Sequence, residues 1–390
     1  MTRANGGHAP ARRETPPSAA QGLRCVIVGG SLVGLSAAIA LSRLGFTVTV
    51  AERSPARAAD GGGGLGVDVA LLKRATGLRQ QPPVLHGADR DGTAWHLLQA
   101  WLEDHANAIA EVTLLRDTHV VAVRTEDQDG NVAVVTAAGS TFPADLVIGA
   151  DGARSTVRAD VDPERPDGRY AGVLLWRAMV DEQAMPGGVR LPPAREPARE
   201  VYAGPYRLVT YPVPGPAGDT AVGRRRLNLV WYDPQQSELL RAAGLLDGET
   251  IHGSLAPGTL PGDVRQRLAD FAAASWPSPW REALAVALAS GAVFGTPIIE
   301  YKPRRLAAGR IALAGDAAHA ASPMVGGGFR QGLQDVLALT RTLTGVRSAA
   351  AVPAALARYQ DLRLRAAVAH VTNSEQETAA YLAHAATAAS

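Results

Sequence analysis

Residues 24–52 read RCVIVGGSLVGLSAAIALSRLGFTVTVAE, and the order of the elements in this stretch decides the fold class. Residues 23–29 form a short apolar run rich in Val and Ile, which predicts a buried strand. Residues 32–44 have helical length and spacing, and Gly45 is placed to end the helix. Residues 46–51 predict a second strand. A strand, a helix and a strand in this order predict a βαβ unit with two parallel strands.

The composition is that of an ordinary globular chain. It has 390 residues, of which 46% are hydrophobic and 19% charged, and this length suits about two domains. The net charge of +2 gives no electrostatic reason to expect nucleic acid or an anionic membrane as a partner. Cys25, the single cysteine, lies in an apolar run and is predicted to be a buried hydrophobic residue in a reduced, cytoplasmic setting. No stretch of about 20 apolar residues predicts a membrane span.

Changes of pattern along the chain divide it into segments. Residues 112–123 and 132–135 predict the strands of a small antiparallel piece. The middle of the chain has Pro-rich turns and aromatic strands, and alternation in RLNLVWY predicts a sheet with two different faces. Residues 264–290 predict a helical region, and residues 350–390 are Ala-rich and predicted helical.

The predicted fold is α/β (α+β), with a discontinuous Rossmann-like nucleotide-binding domain, an inserted and mainly antiparallel β-sheet domain that would bind substrate, and C-terminal helices. The predicted boundaries are a disordered tail (1–21), the first part of the nucleotide-binding domain (22–167), the inserted sheet domain (168–299), the second part of the nucleotide-binding domain (300–345) and the C-terminal helices (346–390).

The glycines of the first turn match a dinucleotide-binding fingerprint. Gly29 and Gly34 occupy the places of the tight turn and the close helix–strand contact, and Ser31 stands at the place of the middle glycine. Serine is small enough to let the backbone approach a phosphate. Glu52 ends the second strand, where a carboxylate accepts hydrogen bonds from both hydroxyls of an adenosine ribose and repels a 2′-phosphate. The pattern predicts FAD or NAD rather than NADP; the alternative for Glu52 is a solvated charge.

A second glycine-rich stretch, DGGGGLGVDV at 60–69, has the same spacing at Gly61, Gly63 and Gly66. No apolar strand precedes it, so we interpret it as a flexible or ligand-covering loop rather than a second nucleotide fold. No second nicotinamide-binding domain is predicted.

Residues 311–339, IALAGDAAHAASPMVGGGFRQGLQDVLAL, predict a ligand-binding turn. A buried strand at 311–314 ends at Gly315-Asp316, which leaves one carboxylate at its carboxyl end. Gly326, Gly327 and Gly328 would let backbone N–H groups approach a ligand. The helix predicted to begin near Phe329 would direct its positive dipole end at that ligand.

Three segments together carry a resemblance to a known family. They are VIVGGSLVG followed by Glu52-Arg53, DLVIGADGARSTVR at 145–158, and GRIALAGDAAHAASPMVGGG at 309–328. In this order they resemble the single-component FAD-dependent aromatic hydroxylases of the para-hydroxybenzoate hydroxylase type, over most of residues 23–345. The Gly-Gly-Ser opening and the stretches YAGVLLWRAMV, YPVPG and RLNLVWY look more like the 2,6-dihydroxypyridine hydroxylase branch.

The resemblance implies FAD as the cofactor and roles for the residues at matching positions. The pyrophosphate would be held by Gly29, Ser31 and Gly34, and the adenosine ribose by Glu52 with Arg53 nearby. The motif that serves FAD and the nicotinamide nucleotide would consist of Asp151, Gly152, Arg154, Ser155 and Arg158. Asp316 would bind the ribityl chain, and flavin N1 and O2 would face the amides of Gly326, Gly327, Gly328 and Phe329. A helix N-terminus there would stabilise the negative charge of a reduced flavin without a bulky cation.

The chain departs from the family at one place. The family often has an Arg at the start of the helix that here reads TAWHLLQAWL, where Trp95 or His96 stands instead. No FAD role is assigned to either residue, and Gln99 on the same helix remains an open candidate.

Four residues are candidates for the catalytic and substrate side. The resemblance places Pro323 near the isoalloxazine and the substrate. Tyr211 is the aromatic residue expected in the substrate pocket, although a packed sheet residue is the alternative reading. Arg177 would need a partner in a core, which is a carboxylate either of the substrate or of the protein. His319 in GDAAH is either a general base or a structural residue. No metal-ligand spacing appears in the sequence.

The resemblance implies a cycle in which NADH or NADPH reduces FAD, O2 adds at flavin C4a, and the hydroperoxide transfers OH to an electron-rich aromatic or N-heteroaromatic ring. Such a site must exclude water. The partners expected are therefore a small aromatic substrate and O2, for a monomer or homodimer. Baeyer–Villiger insertion, epoxidation and oxidative decarboxylation share the same intermediate and stay open as alternatives, as does a flavin-binding protein without catalysis.

Overall fold

The computed structural model describes residues 22–57, 62–87, 91–125, 131–187, 189–193, 196 and 198–389. Its strands are β1 (Arg24–Val28), β2 (Thr47–Ala51), β3 (Gly64–Val67), β4 (Asp91–Ala94), β5 (Val112–Leu115), β6 (Val120–Thr125), β7 (Val132–Thr136), β8 (Thr141–Ala144), β9 (Leu146–Gly149), β10 (Arg169–Asp181), β11 (Arg199–Ala203), β12 (Tyr206–Val213), β13 (Arg226–Asp233), β14 (Leu246–Asp247), β15 (Thr250–Ile251), β16 (Phe294–Glu300), β17 (Ala307–Ala308) and β18 (Ile311–Leu313). Its helices are α1 (Leu32–Ser42), α2 (Val69–Thr76), α3 (Trp95–Asn107), α4 (Arg158–Val161), α5 (Ser237–Ala242), α6 (Gly262–Ser275), α7 (Trp280–Ala289), α8 (Asp316–His319), α9 (Gly328–Leu343) and α10 (Val352–Ala389).

A six-stranded sheet in the order β17-β18-β9-β1-β2-β5 forms the first layer of the molecule. The strand β1 runs parallel to β2 and to β9, with Cys25 opposite Val48 on one side and Leu146 on the other. The predicted βαβ unit is therefore present, with α1 ending at Ser42, two residues before the predicted end. Cys25 is 1% exposed inside this sheet.

The strand β5 corrects one sequence-based prediction. Residues 112–123 were expected in a small antiparallel piece, but β5 pairs in parallel with β2 at the edge of the six-stranded sheet. The antiparallel piece is a separate three-stranded sheet in the order β6-β7-β8. A turn divides the apolar run after Leu115, and hydrophobic alternation alone does not show which of two sheets a short strand joins.

A five-stranded antiparallel sheet in the order β11-β12-β13-β10-β16 forms the middle of the chain. Alternate residues along its strands point to opposite faces. One face, with Trp176 and Trp231, packs against α6 and α7. The other face, with Leu175 and Tyr232, packs against Tyr381 of α10. The two faces predicted from RLNLVWY are thus buried against different partners.

The chain ends in one long helix, α10, where several C-terminal helices were predicted. Its 38 residues run beside both sheets. The hydroxyl of Tyr359 donates to the carbonyl of Leu313 in β18 at 2.7 Å. The hydroxyl of Tyr381 donates to the carbonyls of Tyr232 and Pro205 at 2.9 Å each. The helix α10 therefore joins the two sheets through buried hydrogen bonds. No helix in the described residues combines the length and apolarity that a membrane crossing requires.

Substitution of Gly34 tests the close contact between β1 and α1. A Cβ at this position would lie 1.9 Å from the carbonyl oxygen of Gly29. We expect Gly34→Ala to lower the free energy of unfolding by about 1–3 kcal/mol or more, because backbone must move to relieve the overlap. Urea unfolding of purified protein measures the change. Gly262→Ala, at a helix start with no atom within 4 Å of the added Cβ, is the matched control; equal effects of the two changes would contradict the prediction.

Candidate functional site

A cavity of about 520 Å³ lies at the carboxyl ends of the parallel strands. In open α/β sheets this edge is where ligands bind. Each strand that reaches the cavity delivers a polar group or a glycine turn directly after its last residue, because strand and turn follow one another in sequence. The main lining residues from these turns are Gly29, Gly30, Ser31, Glu52, Arg53, Asp151, Gly152, Arg154 and Asp316.

The carboxylate of Glu52 is held in place by the glycine turn. Its Oε2 accepts a hydrogen bond from the amide of Gly30 at 2.7 Å, and its Oε1 accepts one from the amide of Ser54 at 2.8 Å. A Cβ at Gly30 would lie 2.9 Å from the Cβ of Glu52, so the turn needs glycine there. Gly29 has a φ of 104°, which favours glycine as well. The hydroxyl of Ser31 makes no capping bond to α1, and Ser31 lines the cavity.

Asp151 and Arg158 belong to one turn but have different roles. Oδ2 of Asp151 accepts bonds from the amides of Thr156 and Val157, while its buried Oδ1 has no partner among the described residues. Burial raises the pKa of this carboxyl. Arg158 is fully buried and donates to the carbonyls of Ala317 and Asp316 at 2.9 and 3.1 Å. Arg158 therefore fixes the turn against the end of β18 rather than facing a ligand.

Arg53 and Arg154 are the exposed cations of the cavity wall. Neither forms an ion pair within the described ranges. Desolvation and the neighbouring charge of Arg53 lower the pKa of Arg154. Two cations this close favour an anionic ligand such as a diphosphate.

Asp316 and the start of α9 form the other end of the cavity. Asp316 lines the cavity, and desolvation by the surrounding protein atoms raises the pKa of its carboxyl. The helix α9 begins at Gly328, one residue before the prediction, after Gly327 in a left-handed conformation. Gly328 and Phe329 line the cavity, so the unpaired N–H groups of the first turn lie beside it. Pro323 begins a short 3₁₀ segment before this turn, and Gly326 directly follows that segment. Neither residue lines the cavity.

His319 lies inside the protein, below the cavity. It is 1% exposed, and its Nε2 lies 2.6 Å from Oδ2 of Asp335, whose Oδ1 accepts a bond from Arg363 Nε at 2.7 Å. Burial alone would lower the pKa of His319, but the charge and hydrogen bond of Asp335 outweigh it and raise that pKa. Burial would raise the pKa of Asp335, but the charge and hydrogen bond of His319 and the charge of Arg363 lower it. This enclosed geometry favours the structural alternative for His319 over a base that acts on substrate.

The helix α3 contributes two further residues to the cavity. Trp95, its first residue, and Gln99 both line the wall. Gln99 Nε2 donates to Glu103 and, at 3.4 Å, to the carbonyl of Gly30, and its buried Oε1 has no described partner. The sequence left Gln99 as an open candidate, and the folded chain brings it beside the glycine turn.

The second glycine-rich stretch lies between the cavity and the antiparallel sheet. Its described residues form β3, which pairs with β4, while Gly61 lies outside the described residues. The amide of Gly64 donates to Asn228 Oδ1 at 2.7 Å, and a Cβ there would lie 2.9 Å from the ring of Tyr211. Arg177 Nη2 donates to the carbonyl of Gly64 at 3.3 Å. Tyr211 and Arg177 therefore lie close together, with Asn228 beside them. Asn228 is not among the candidates named from the sequence, although a polar residue within the alternating pattern RLNLVWY could have pointed to it.

These features fit an FAD molecule. The cavity offers a carboxylate for a ribose, a glycine turn, two cations and a helix N-terminus, which are the kinds of group that an extended FAD would need. The unpartnered Oδ1 of Asp151 and Oε1 of Gln99 are acceptors that ligand donors would satisfy.

Comparisons with known proteins agree with this geometry. The FAD binding domain family matches residues 91–182 and 280–374, and an FAD binding domain-like family matches residues 170–289. This chain belongs to the FAD-dependent monooxygenases. It is 29% identical over 380 residues to aurachin C monooxygenase/isomerase of Stigmatella aurantiaca, with 90% of this chain and 88% of that protein covered.

Two further relatives and one solved structure extend the comparison. The chain is 29% identical to 3-amino-4-hydroxybenzoate 2-monooxygenase of Streptomyces cremeus, covering 88% of this chain and 83% of that protein. It is 27% identical to a salicylate hydroxylase of Pseudomonas putida, covering 88% and 82%. The structure of 2,6-dihydroxypyridine-3-hydroxylase from Arthrobacter nicotinovorans superposes with a TM-score of 0.73 at 21% identity over 93% of each chain. The last likeness confirms the fold expected from the sequence.

Removal of the Glu52 carboxylate tests its role in this monooxygenase. We expect Glu52→Ala to weaken FAD binding at least about tenfold, since hydrogen bonds to a charged group are worth about 1.5–3 kcal/mol each. Titration of the apoprotein with FAD, followed by flavin fluorescence, gives the dissociation constant. Glu111→Gln, at an exposed carboxylate before β5, is the control. An unchanged dissociation constant in Glu52→Ala would remove Glu52 from the FAD site.

Replacement of Asp335 tests the buried ion cluster in the monooxygenase. The depressed pKa of Asp335 stabilises the fold above about pH 4, and this contribution is lost as the pH falls through the folded value. The raised pKa of His319 stabilises it below about pH 6.5, and this contribution is lost as the pH rises through the folded value. We expect Asp335→Asn to destabilise by about 3–5 kcal/mol between these limits, and by less at alkaline pH.

Urea unfolding of the unchanged protein and of Asp335→Asn, at pH 5 and at pH 9, measures the difference in their free energies of unfolding. Asp263→Asn, which removes an exposed carboxylate paired with Arg267, is the control and should change little at either pH. A deficit in Asp335→Asn that does not depend on pH would show that His319 is not ionised with Asp335.

Proposed function

We propose that this protein is an NADH- or NADPH-consuming monooxygenase that hydroxylates an electron-rich aromatic or N-heteroaromatic ring. The observation that carries the proposal is the position of the cavity. One end of it holds Glu52 and the glycine turn, and Asp316 and the start of α9 also line it. Leu65 of β3 lines the cavity, and the neighbouring Gly64 is hydrogen-bonded to Asn228 and Arg177 of the antiparallel sheet. A ring bound on that face would lie beside the redox end of the cofactor.

The bound FAD would supply the redox chemistry by which O2 delivers one oxygen atom to the ring. The protein's own residues bind and orient the reactants and keep water away. The N–H groups at the start of α9 favour negative charge at the cavity end that holds Asp316. Leu65, Trp95 and Phe329 give that end apolar walls, and such walls limit water access.

The names of the relatives support an aromatic substrate. The relatives from Streptomyces cremeus and Pseudomonas putida are named for a hydroxybenzoate and for salicylate, both of which are electron-rich rings. A nicotinamide nucleotide is proposed as the reductant because the chain resembles the single-component aromatic hydroxylases, in which such a nucleotide reduces FAD.

Oxidation of NADH and NADPH in air by the FAD-loaded protein tests the proposal. We expect one compound from a panel of phenols, hydroxybenzoates and hydroxypyridines to raise the rate at least about tenfold, with hydroxylated product formed and little H2O2 released. Product mass and an H2O2 trap distinguish hydroxylation from uncoupled oxidation.

Asp316→Ala should lose both FAD binding and the oxidation of NADH or NADPH. Glu111→Gln is the control and should keep both. If FAD stays bound and no ring in the panel changes the rate, the proposal fails and a flavin-binding protein without this activity is favoured.

A further inference from the structure

The side-chain amide of Gln99 is held in one orientation by its neighbours. Its Nε2 donates to Glu103 Oε2 at 3.0 Å and to the carbonyl oxygen of Gly30 at 3.4 Å. A carbonyl oxygen and an ionised carboxylate can only accept hydrogen bonds. An amide rotated by half a turn would place its own oxygen against both of these acceptors. The orientation therefore leaves Oε1 of Gln99 as the atom that needs a partner elsewhere.

Two arginines keep Glu103 in this accepting role. Its Oε2 accepts from Arg116 Nη2 at 2.5 Å, and its Oε1 lies 3.3 Å from Arg57 Nη2. Guanidinium groups donate hydrogen bonds and never accept them, so both carboxylate oxygens serve as acceptors. The Glu103 side chain is 5% exposed and lies one turn of α3 beyond Gln99. Glu103 is therefore a positioning residue for the amide of Gln99.

The free oxygen of Gln99 belongs to a residue of the cofactor cavity. Gln99 is 4% exposed and lines the cavity, and its Oε1 has no hydrogen-bond partner within the described ranges. A buried acceptor without a donor costs stability, and a ligand recovers this cost when it supplies an O–H or N–H group. The diphosphate of FAD supplies only acceptor oxygens. Gln99 must therefore be satisfied by another part of the cofactor.

The helix α3 places Gln99 between two different parts of the cavity wall. The helix begins at Trp95, whose amide donates to the carbonyl of Gly63 at 3.0 Å and which lines the cavity together with Leu65 of β3. Gln99 follows one turn later on the same side of α3 and reaches the glycine turn at Gly30. An apolar wall and the glycine turn therefore flank Gln99 along the helix.

One segment of FAD matches this position. The ribityl chain joins the apolar isoalloxazine ring to the pyrophosphate, and it carries hydroxyl groups at its 2′, 3′ and 4′ carbons. The hydroxyls of the adenosine ribose lie beyond the pyrophosphate, on the side where Glu52 offers its carboxylate. The donors expected beside Gln99 are therefore the ribityl hydroxyls.

We propose that Gln99 positions FAD by accepting a hydrogen bond from a hydroxyl of the ribityl chain, with Glu103 holding the amide in place. The family that the chain resembles often has an arginine, a donor, at the start of this helix. Here Trp95 stands at that place, and α3 offers the cofactor an acceptor one turn later. This inference rests on the FAD site and not on the ring hydroxylation of the proposed function.

Titration of the apoprotein with FAD analogues tests the inference without turnover. The probes are FAD, the analogues that lack one ribityl hydroxyl (2′-, 3′- and 4′-deoxyribityl FAD), and ADP, which has the adenosine and the diphosphate but no ribityl chain. Flavin fluorescence gives the dissociation constants of the flavins, and calorimetry gives that of ADP. We expect one deoxy analogue to bind the unchanged protein at least about fivefold more weakly than FAD.

The variant Gln99→Met removes the acceptor and nearly keeps the length of the side chain. It should weaken FAD at least about fivefold, bind FAD and the discriminated analogue within about twofold of each other, and leave ADP within about twofold. Gln266→Met is the matched control and should change none of these constants. Gln266 also donates to a carboxylate four residues later, Asp270 at 2.8 Å, but lies on the exposed side of α6.

Three results would overturn the inference. The first is that all the deoxy analogues bind the unchanged protein as tightly as FAD, as expected if a water molecule satisfies Oε1. The second is that Gln99→Met leaves the dissociation constant of FAD unchanged, and the third is that it weakens ADP as much as FAD. The Tm of each apoprotein identifies a misfolded variant, and the comparison of analogues on the unchanged protein needs no variant. Discrimination between the analogues without NADH or NADPH oxidation would reject the proposed function alone.

Discussion

The carboxylate of Asp335 is the group on which the geometry of the site depends. Its two oxygens accept bonds from the amide of Gly315, from His319 and from Arg363, at 2.6–2.9 Å. These partners belong to the turn after β18, to α8 and to α10, while Asp335 itself is in α9. One buried charge therefore fixes where a strand ends, where a helix begins and how the C-terminal helix lies across both. Burial without these partners would be costly, so the four elements are held together or not at all.

Buried polar groups in the interior of the fold have their hydrogen bonds completed by the protein, whereas some groups at the cavity do not. Arg158 and Asp335, which no ligand could reach, have their hydrogen bonds supplied by the protein. Asp151, Gln99 and Asn228 each keep one buried atom without a partner, and all three lie at or beside the cavity. The free acceptors of Asp151 and Gln99 belong to residues that line the cavity, where donors of a ligand could satisfy them.

The sequence predicts the βαβ unit and the turns that follow its strands well because their signals are local. Strand, glycine turn and helix follow within a few residues, so their order alone places Gly29, Gly34, Glu52 and Asp316 at one sheet edge. Contacts between distant segments leave no such local signal. Gln99 reaches the glycine turn across 69 residues, and β5 joins the parallel sheet through a pairing that its own composition does not encode. His319 could be interpreted as a base from the sequence, because the sequence does not show that it is buried beside Asp335.

The same division explains how the two halves of the site can vary independently. The cofactor groups are backbone amides, glycines and carboxylates that follow directly from the parallel sheet, so changing them changes the fold. The groups on the antiparallel sheet are alternate side chains whose opposite neighbours pack against α6 and α7. Because adjacent residues of a strand face opposite ways, a substitution at Arg177 or Asn228 leaves the packed face untouched.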